Sequence, residues 1–165
     1  MNRGGLNRWV DRFFVVGLCC LLWVGWLSPA WANDYTKEIL LNADFSGRDL
    51  TDSSFTKANL KNSNFKGSNL SGVSFFGANL EDTNLEGVNL SVATLDSARL
   101  VQANLTNAIL EGAFAYSTQF QDAIITGADF TDVDLNETVQ AALCKVAGGT
   151  NPVTGRNTRE TLNCG

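Results

Sequence analysis

Ala78-Asn79-Leu80-Glu81-Asp82-Thr83-Asn84-Leu85-Glu86-Gly87-Val88-Asn89-Leu90 repeats its own pattern every five residues. Carrying the frame outward gives Leu40, Phe45, Leu50, Phe55, Leu60, Phe65, and so on to Leu135. Nineteen of these twenty positions hold Leu, Phe or Ile, and Ala115 is the exception. Two residues before each lies a second column, running from Ala43 to Val133. It is small or β-branched throughout, apart from Arg48. The residue between the two columns is often Asn or Asp, as at Asp44, Asn64, Asn84 and Asn104.

A period of five fits neither a helix at 3.6 nor a strand at 2.0. A helix would spread the large residues around its circumference, and a strand would alternate them between faces. The chain must therefore turn once per pentapeptide and always send the large side chain inward. One such unit cannot bury its apolar residue, whereas stacked units can, which predicts an all-β solenoid. Each buried Leu or Phe contributes roughly 1.5–3 kcal/mol.

The A-(N/D)-L-x-x units over residues 41–135 resemble the pentapeptide-repeat family. The resemblance implies a right-handed quadrilateral β-helix with four pentapeptides per coil. Nineteen units make nearly five coils, a stack roughly 24 Å long at ~4.8 Å per strand spacing.

Residues 1–32 read as a signal peptide, with an uncleaved membrane anchor as the alternative. Arg3, Arg8 and Arg12 precede the apolar run Phe13–Leu27, and Ala30-Trp31-Ala32 is an A-x-A cleavage motif, with cleavage expected between Ala32 and Asn33. The run is short of the ~20 residues that span a bilayer, so no membrane span is expected after cleavage. The whole chain has 165 residues, no His, four Cys and a net charge of −5. Three of its twelve basic residues and one of its seventeen acidic residues precede Asn33. That leaves nine and sixteen, a net charge of −7, for residues 33–165.

A solenoid needs caps on its end layers. Residues 33–40 are expected to form an N-terminal cap segment, with Tyr35–Leu41 either a short helix or an irregular first coil. Residues 136–165 read as a helical cap. Glu137–Ala147 carries Val139, Leu143 and Val146 on one helical face, and Gly148-Gly149 stops it. Asn151-Pro152 opens a turn, and Asn157 with Glu160 suits a second short helix. Cys144 and Cys164, the cysteines left after the leader, are expected to form a disulfide in an exported chain. Closing that loop of about 20 residues is worth roughly 3 kcal/mol. This end also resembles the disulfide-bracketed C-terminus of exported cyanobacterial and plastid-lumen members of the family, which implies the thylakoid lumen or the periplasm.

Little in the chain suggests catalysis. Without His there is no Ser–His or Cys–His pair and no imidazole metal site. The repeat frame admits no insertion from 40 to 135, hence no projecting loop of the kind that usually carries a site. No catalytic residue, cofactor or metal is expected. Asp129, Asp132, Asp134 and Glu137 gather near the last coil. They read as a solvated acidic edge, or alternatively as a weak cation site or catalytic carboxylates. Arg48, Lys57, Lys61 and Lys66 make the early coils mildly basic, and the later ones are acidic. One wall carries outward aromatics, Phe76 and Tyr116 in one column with Phe114 beside Tyr116. Two readings stand: a partner-binding patch, since exposed aromatics anchor recognition, or a local shift that turns Phe114 inward to fill the space left by Ala115. The expected function is a non-catalytic exported structural or protein-interaction module with an unidentified protein partner. The alternatives are an acidic DNA mimic that binds a topoisomerase and a carboxylate-dependent enzyme. Binding of nucleic acid itself is not expected, because it needs clustered Lys and Arg.

Overall fold

The computed structural model of the chain describes residues 33–165. The expected leader and the Ala32 side of its cleavage site lie outside the described residues. From Asp34 to Asp134 every fifth residue forms a parallel bridge with a residue 20 positions away. Four pentapeptides therefore close one square coil, and the stack holds just over five coils.

The corners show why five residues suffice. The Leu40 carbonyl accepts from Ala43 N–H across a tight turn, and Asn42 at its third position has φ +56°. That is a type II turn, which requires a left-handed residue there. The same position is filled by Gly at 47, 67, 72, 77, 87, 112 and 127, and by Asn at 62 and 107. Val92 takes it with φ +51°, a strained choice for a β-branched residue. Between corners, Leu40 N–H donates to Asn59 C=O and Asn59 N–H to Glu38 C=O, both at 2.8 Å.

Inside, the small column sits at the corners and the large column fills the axis. Phe55, Phe65, Phe75, Leu80, Leu85, Leu95 and Leu105 are fully buried. Early in the stack the bulk comes from two opposite walls. Phe45 stacks on Phe65 at 4.9 Å and Phe55 on Phe75 at 5.1 Å, and Phe55 meets Phe65 edge-on at 5.5 Å. Arg48, the exception in the small column, is exposed. Its guanidinium lies 5.4 Å from the centre of the Phe45 ring.

Residues 33–40 are neither a helix nor an irregular cap. They follow the same turn-and-bridge pattern, with Asp34 paired to Ser54 and Ile39 to Asn59. Tyr35 occupies the large column and stacks on Phe55 at 4.8 Å. The coil pattern thus already holds at residue 34, ahead of the expected 41. Tyr fills the same space as Phe, and it is partly exposed in the first described coil.

After Leu135 the chain forms α1, Glu137–Cys144, and α2, Thr158–Thr161. α1 stops short of the expected Ala147, so Val146 points to solvent while Leu143 is buried and Val139 packs on the core. Asn157 caps α2 by accepting from Arg159 N–H. Cys144 and Cys164 are bonded, with Cα atoms 5.6 Å apart. The intervening loop docks through Asn151, which is fully buried. Its Nδ2 donates to the carbonyls of Asn107, Ala108 and Gly127, and its Oδ1 accepts from Val153 and Thr154 N–H. Gly149, at φ +86°, comes so close that a Cβ would lie 2.9 Å from the Gly127 nitrogen.

Candidate functional site

The coils present four flat walls, and the first carries bridge positions 34, 54, 74, 94, 114 and 134. Backbone parity makes Phe114 point outward, because residues 113 and 115 face the axis. Both of its rungs are intact: Phe114 N–H donates to Ala93 C=O at 2.9 Å, and Leu95 N–H donates to Phe114 C=O at 2.7 Å. Phe114 is therefore not turned inward, and it is 50% exposed. Phe76 and Tyr116, at one corner of this wall, are 43% and 56% exposed. Val92 is exposed at the opposite corner. Two coils separate Phe76 from Tyr116, about 10 Å along the stack.

The space left by Ala115 is closed from within. Ala115 is fully buried. In this coil the large rings move to the two neighbouring walls, where Phe120 and Phe130 meet edge-on at 6.3 Å. The inward-shift reading fails because the backbone holds its register and the bulk comes from other walls.

The turn beneath Tyr116 departs from the pattern. Ser117 is one of two third-position turn residues, with Asp52, that are not left-handed. The Tyr116–Ser117 peptide is reversed. At most other corners the carbonyl at this position points back to the previous coil, as Asp96 C=O does to Gly77 N–H. Here the Tyr116 carbonyl accepts from Asn136 Nδ2 at 2.6 Å, and Ser117 N–H donates to Asp96 Oδ1 at 3.4 Å. Asn136 also caps α1 by accepting from Val139 N–H. One side chain thus joins the aromatic corner to the start of the C-terminal cap. The sequence reading missed it, although Asn directly before a helix-forming run is the available signal.

The acidic residues near the last coil do not converge. Among the described residues no three His, Cys, Asp or Glu groups are placed to hold a metal ion. Asp129 is buried, accepts from Thr131 N–H and Oγ1, and lies 3.2 Å from Arg156 Nη1. Arg156 also pairs with Glu111 at 2.8 Å. Burial pushes the Asp129 carboxyl up. The hydrogen bonds from Thr131 and Thr154 and the Arg156 charge outweigh this and hold it below its ordinary value. This carboxylate latches the cap to the coils. Asp132 sits at a corner with φ +53°, Asp134 bridges to Phe114, and Glu137 lies in the first turn of α1.

The basic start and acidic continuation of the stack pair with each other. Lys61 lies 2.7 Å from Glu81 and Lys66 lies 3.0 Å from Glu86, each 20 residues on and so one coil above. Arg99 reaches Glu81 from the other side at 3.1 Å. No helix among the described residues is long and apolar enough to cross a membrane.

Comparison with known proteins agrees with this geometry. A crystal structure of a pentapeptide repeat protein from the Arabidopsis thaliana thylakoid lumen is 46% identical, with a TM-score of 0.74. The match covers 76% of this chain and 87% of that one. A pentapeptide repeat protein of the cyanobacterium Cyanothece is 31% identical with a TM-score of 0.52, over 59% of this chain and 64% of that one. The thylakoid lumenal 15 kDa protein 1 of Arabidopsis thaliana is 54% identical over 48 residues, which are 29% of this chain and 21% of that protein. The match thus spans about a fifth of that relative's length. Like its structural relatives, the chain folds as a right-handed quadrilateral β-helix. The pentapeptide-repeats family profile matches at residues 39–75, 74–112 and 98–136, and the chain belongs to the pentapeptide-repeat family.

Proposed function

We propose that the chain is a non-catalytic protein-interaction module of the thylakoid lumen that engages its partner through the first wall, at Phe76, Phe114 and Tyr116. The observation that carries this reading is the exposure of all three aromatics on one wall and its corner. Flat aromatic surface offers large contact area at little cost in side-chain entropy. Three of the acidic side chains are engaged elsewhere: Asp129 in the cap latch, and Glu81 and Glu86 in ion pairs with the coil below. The lumenal placement rests on the two lumenal relatives and on the leader-like residues 1–32.

The test places a photo-crosslinking side chain at position 76 or 116, and separately at Glu86 on another wall, in a chain returned to its own compartment. Specific adducts from 76 and 116 that are absent from 86 support the reading. Equal labelling from all three positions removes it.

A further inference from the structure

The exposed aromatics of the first wall stand among carboxylates whose positions the coil register fixes. Asp134 N–H donates to Ala113 C=O at 2.9 Å, and Ala115 N–H donates to Asp134 C=O at 3.0 Å. These rungs set the Asp134 side chain beside Phe114, about one strand spacing of 4.8 Å away and pointing the same way. Asp134 is exposed. At the corner, Asp96 lies between Phe76 and Tyr116 in one column, a coil from each. Its Oδ1 accepts from Ser117 N–H at 3.4 Å, which brings the carboxylate to the foot of the Tyr116 corner. Glu137 follows Ser117 one coil on and is exposed.

Two cations close to this wall are turned to other carboxylates. Arg99, on the next wall, reaches Glu81 at 3.1 Å, and Arg156 of the cap reaches Glu111 and Asp129 at 2.8 and 3.2 Å. Lys57 lies at the other end of the patch, where its stem passes beneath Gly77: a Cβ on Gly77 would lie 3.4 Å from Lys57 Cγ. The patch therefore has a direction of charge. Its Phe114–Tyr116 end carries Asp96, Asp134 and Glu137, and its Phe76 end carries Lys57. The wall is flat, so a surface laid over Phe114 and Tyr116 also covers Asp134 and Asp96 one strand spacing away. Covering a carboxylate with apolar surface is costly unless a cation or hydrogen-bond donors replace its water.

We infer that the partner meets this end of the wall with a basic segment, and that an arginine of that segment lies against Phe114 and Tyr116 with its guanidinium paired to Asp134 or Asp96. This rests on the reading that the first wall is the interface. A guanidinium is planar, so it stacks on an aromatic face while its N–H fork meets a carboxylate at the edge of the ring. Phe114 and Tyr116 are two residues apart on one side of the strand, about 7 Å. That spacing offers one ring to the stem of a long side chain and the other to its head. A lysine would keep the charge pairing and lose the planar stacking. Lys57 sets the direction of docking, because the reversed segment would bring its positive charge against another one.

The experiment places a photo-crosslinking side chain at position 76 of the full chain, returned to its own compartment, in three backgrounds: wild type, D96N/D134N, and the control D82N/D122N. An Asn side chain at position 96 keeps the acceptor for Ser117 N–H. The control removes the same charge from corners of another wall that Asn tolerates. The expected result is an adduct whose yield falls about tenfold in D96N/D134N and holds at the wild-type level in the control. A crosslinker at position 116 of the wild type should attach within a few residues of an arginine of the partner. Equal yields in all three backgrounds, an equal fall in the control, or an attachment segment without Arg or Lys overturns the proposal and leaves the first-wall reading standing. Absence of adducts from both 76 and 116 removes the two together. D134N alone, at an exposed position, repeats the comparison if the double variant melts early.

Discussion

Asn136 Nδ2 donates to the Tyr116 carbonyl at 2.6 Å while its Oδ1 caps α1 at Val139. The reversed peptide at Tyr116–Ser117 makes this bond possible, and the bond ties the aromatic corner to the helical cap. Asn136→Ala should cost about 2 kcal/mol, counting ~1 for the cap and ~1 for the hydrogen bond. Asn136→Asp keeps the cap but loses the donor and should cost about half as much. Hydrogen exchange at residues 116–118 separates the two: it should rise in both variants, whereas exchange at Val139 should rise in the Ala variant alone.

Ala115→Leu restores the residue that the repeat pattern calls for, yet it should destabilise the protein. Phe120 and Phe130 already supply the bulk of that coil, so added methylenes overpack it by about 1–3 kcal/mol. The double variant Ala115→Leu/Phe120→Leu should recover most of the loss. Denaturant midpoints with unchanged slopes provide the measurement.

Val92 adopts φ +51° at an exposed corner where most other corners have Gly, Asn or Asp. Left-handed backbone costs a non-Gly residue about 1–2 kcal/mol. Val92→Asn should therefore raise stability by about 1 kcal/mol, read as a higher melting temperature with no change in the circular dichroism spectrum.

Asp129 supplies the pH dependence. Its folded-state carboxyl titrates below the unfolded value, so its contribution is complete at pH values above the unfolded range near ~4. The contribution fades as pH falls through the folded value. Asp129→Asn should lower the melting temperature at pH 7, and the gap from wild type should narrow below about pH 4. A gap that stays constant across that range would show that the latch owes nothing to the ionised carboxylate.

The period of five was enough to reveal the coils, the two inward columns and the outward aromatics, because side-chain parity on a short straight wall is rigid. Tyr35 is harder to place, since a hydroxyl on a residue of the large column looks like a break in the pattern until its ring is seen stacked on Phe55. Ala115 could not be resolved from the column alone. The compensation lies at Phe120 and Phe130, whose rings reach the same volume from other walls. Asn151 is the turn residue that its sequence context suggests. Its burial comes from three carbonyls of coils that lie 24 to 44 residues earlier, a tertiary contact that no local pattern announces. The acidic cluster likewise dissolved once Arg156 arrived from the cap to claim Asp129.

The central claim is that the first wall binds a protein partner. Its measurement is the affinity of the crosslinked partner for wild type and for Phe76→Ser/Tyr116→Ser, with melting temperatures alongside. Both side chains are largely at the surface, so the variant should melt within a few degrees of wild type. The predicted result is a loss of binding by at least about a hundredfold, since two aromatic anchors each carry about 1.5 kcal/mol or more. A folded variant that holds the partner as tightly as wild type would contradict the account.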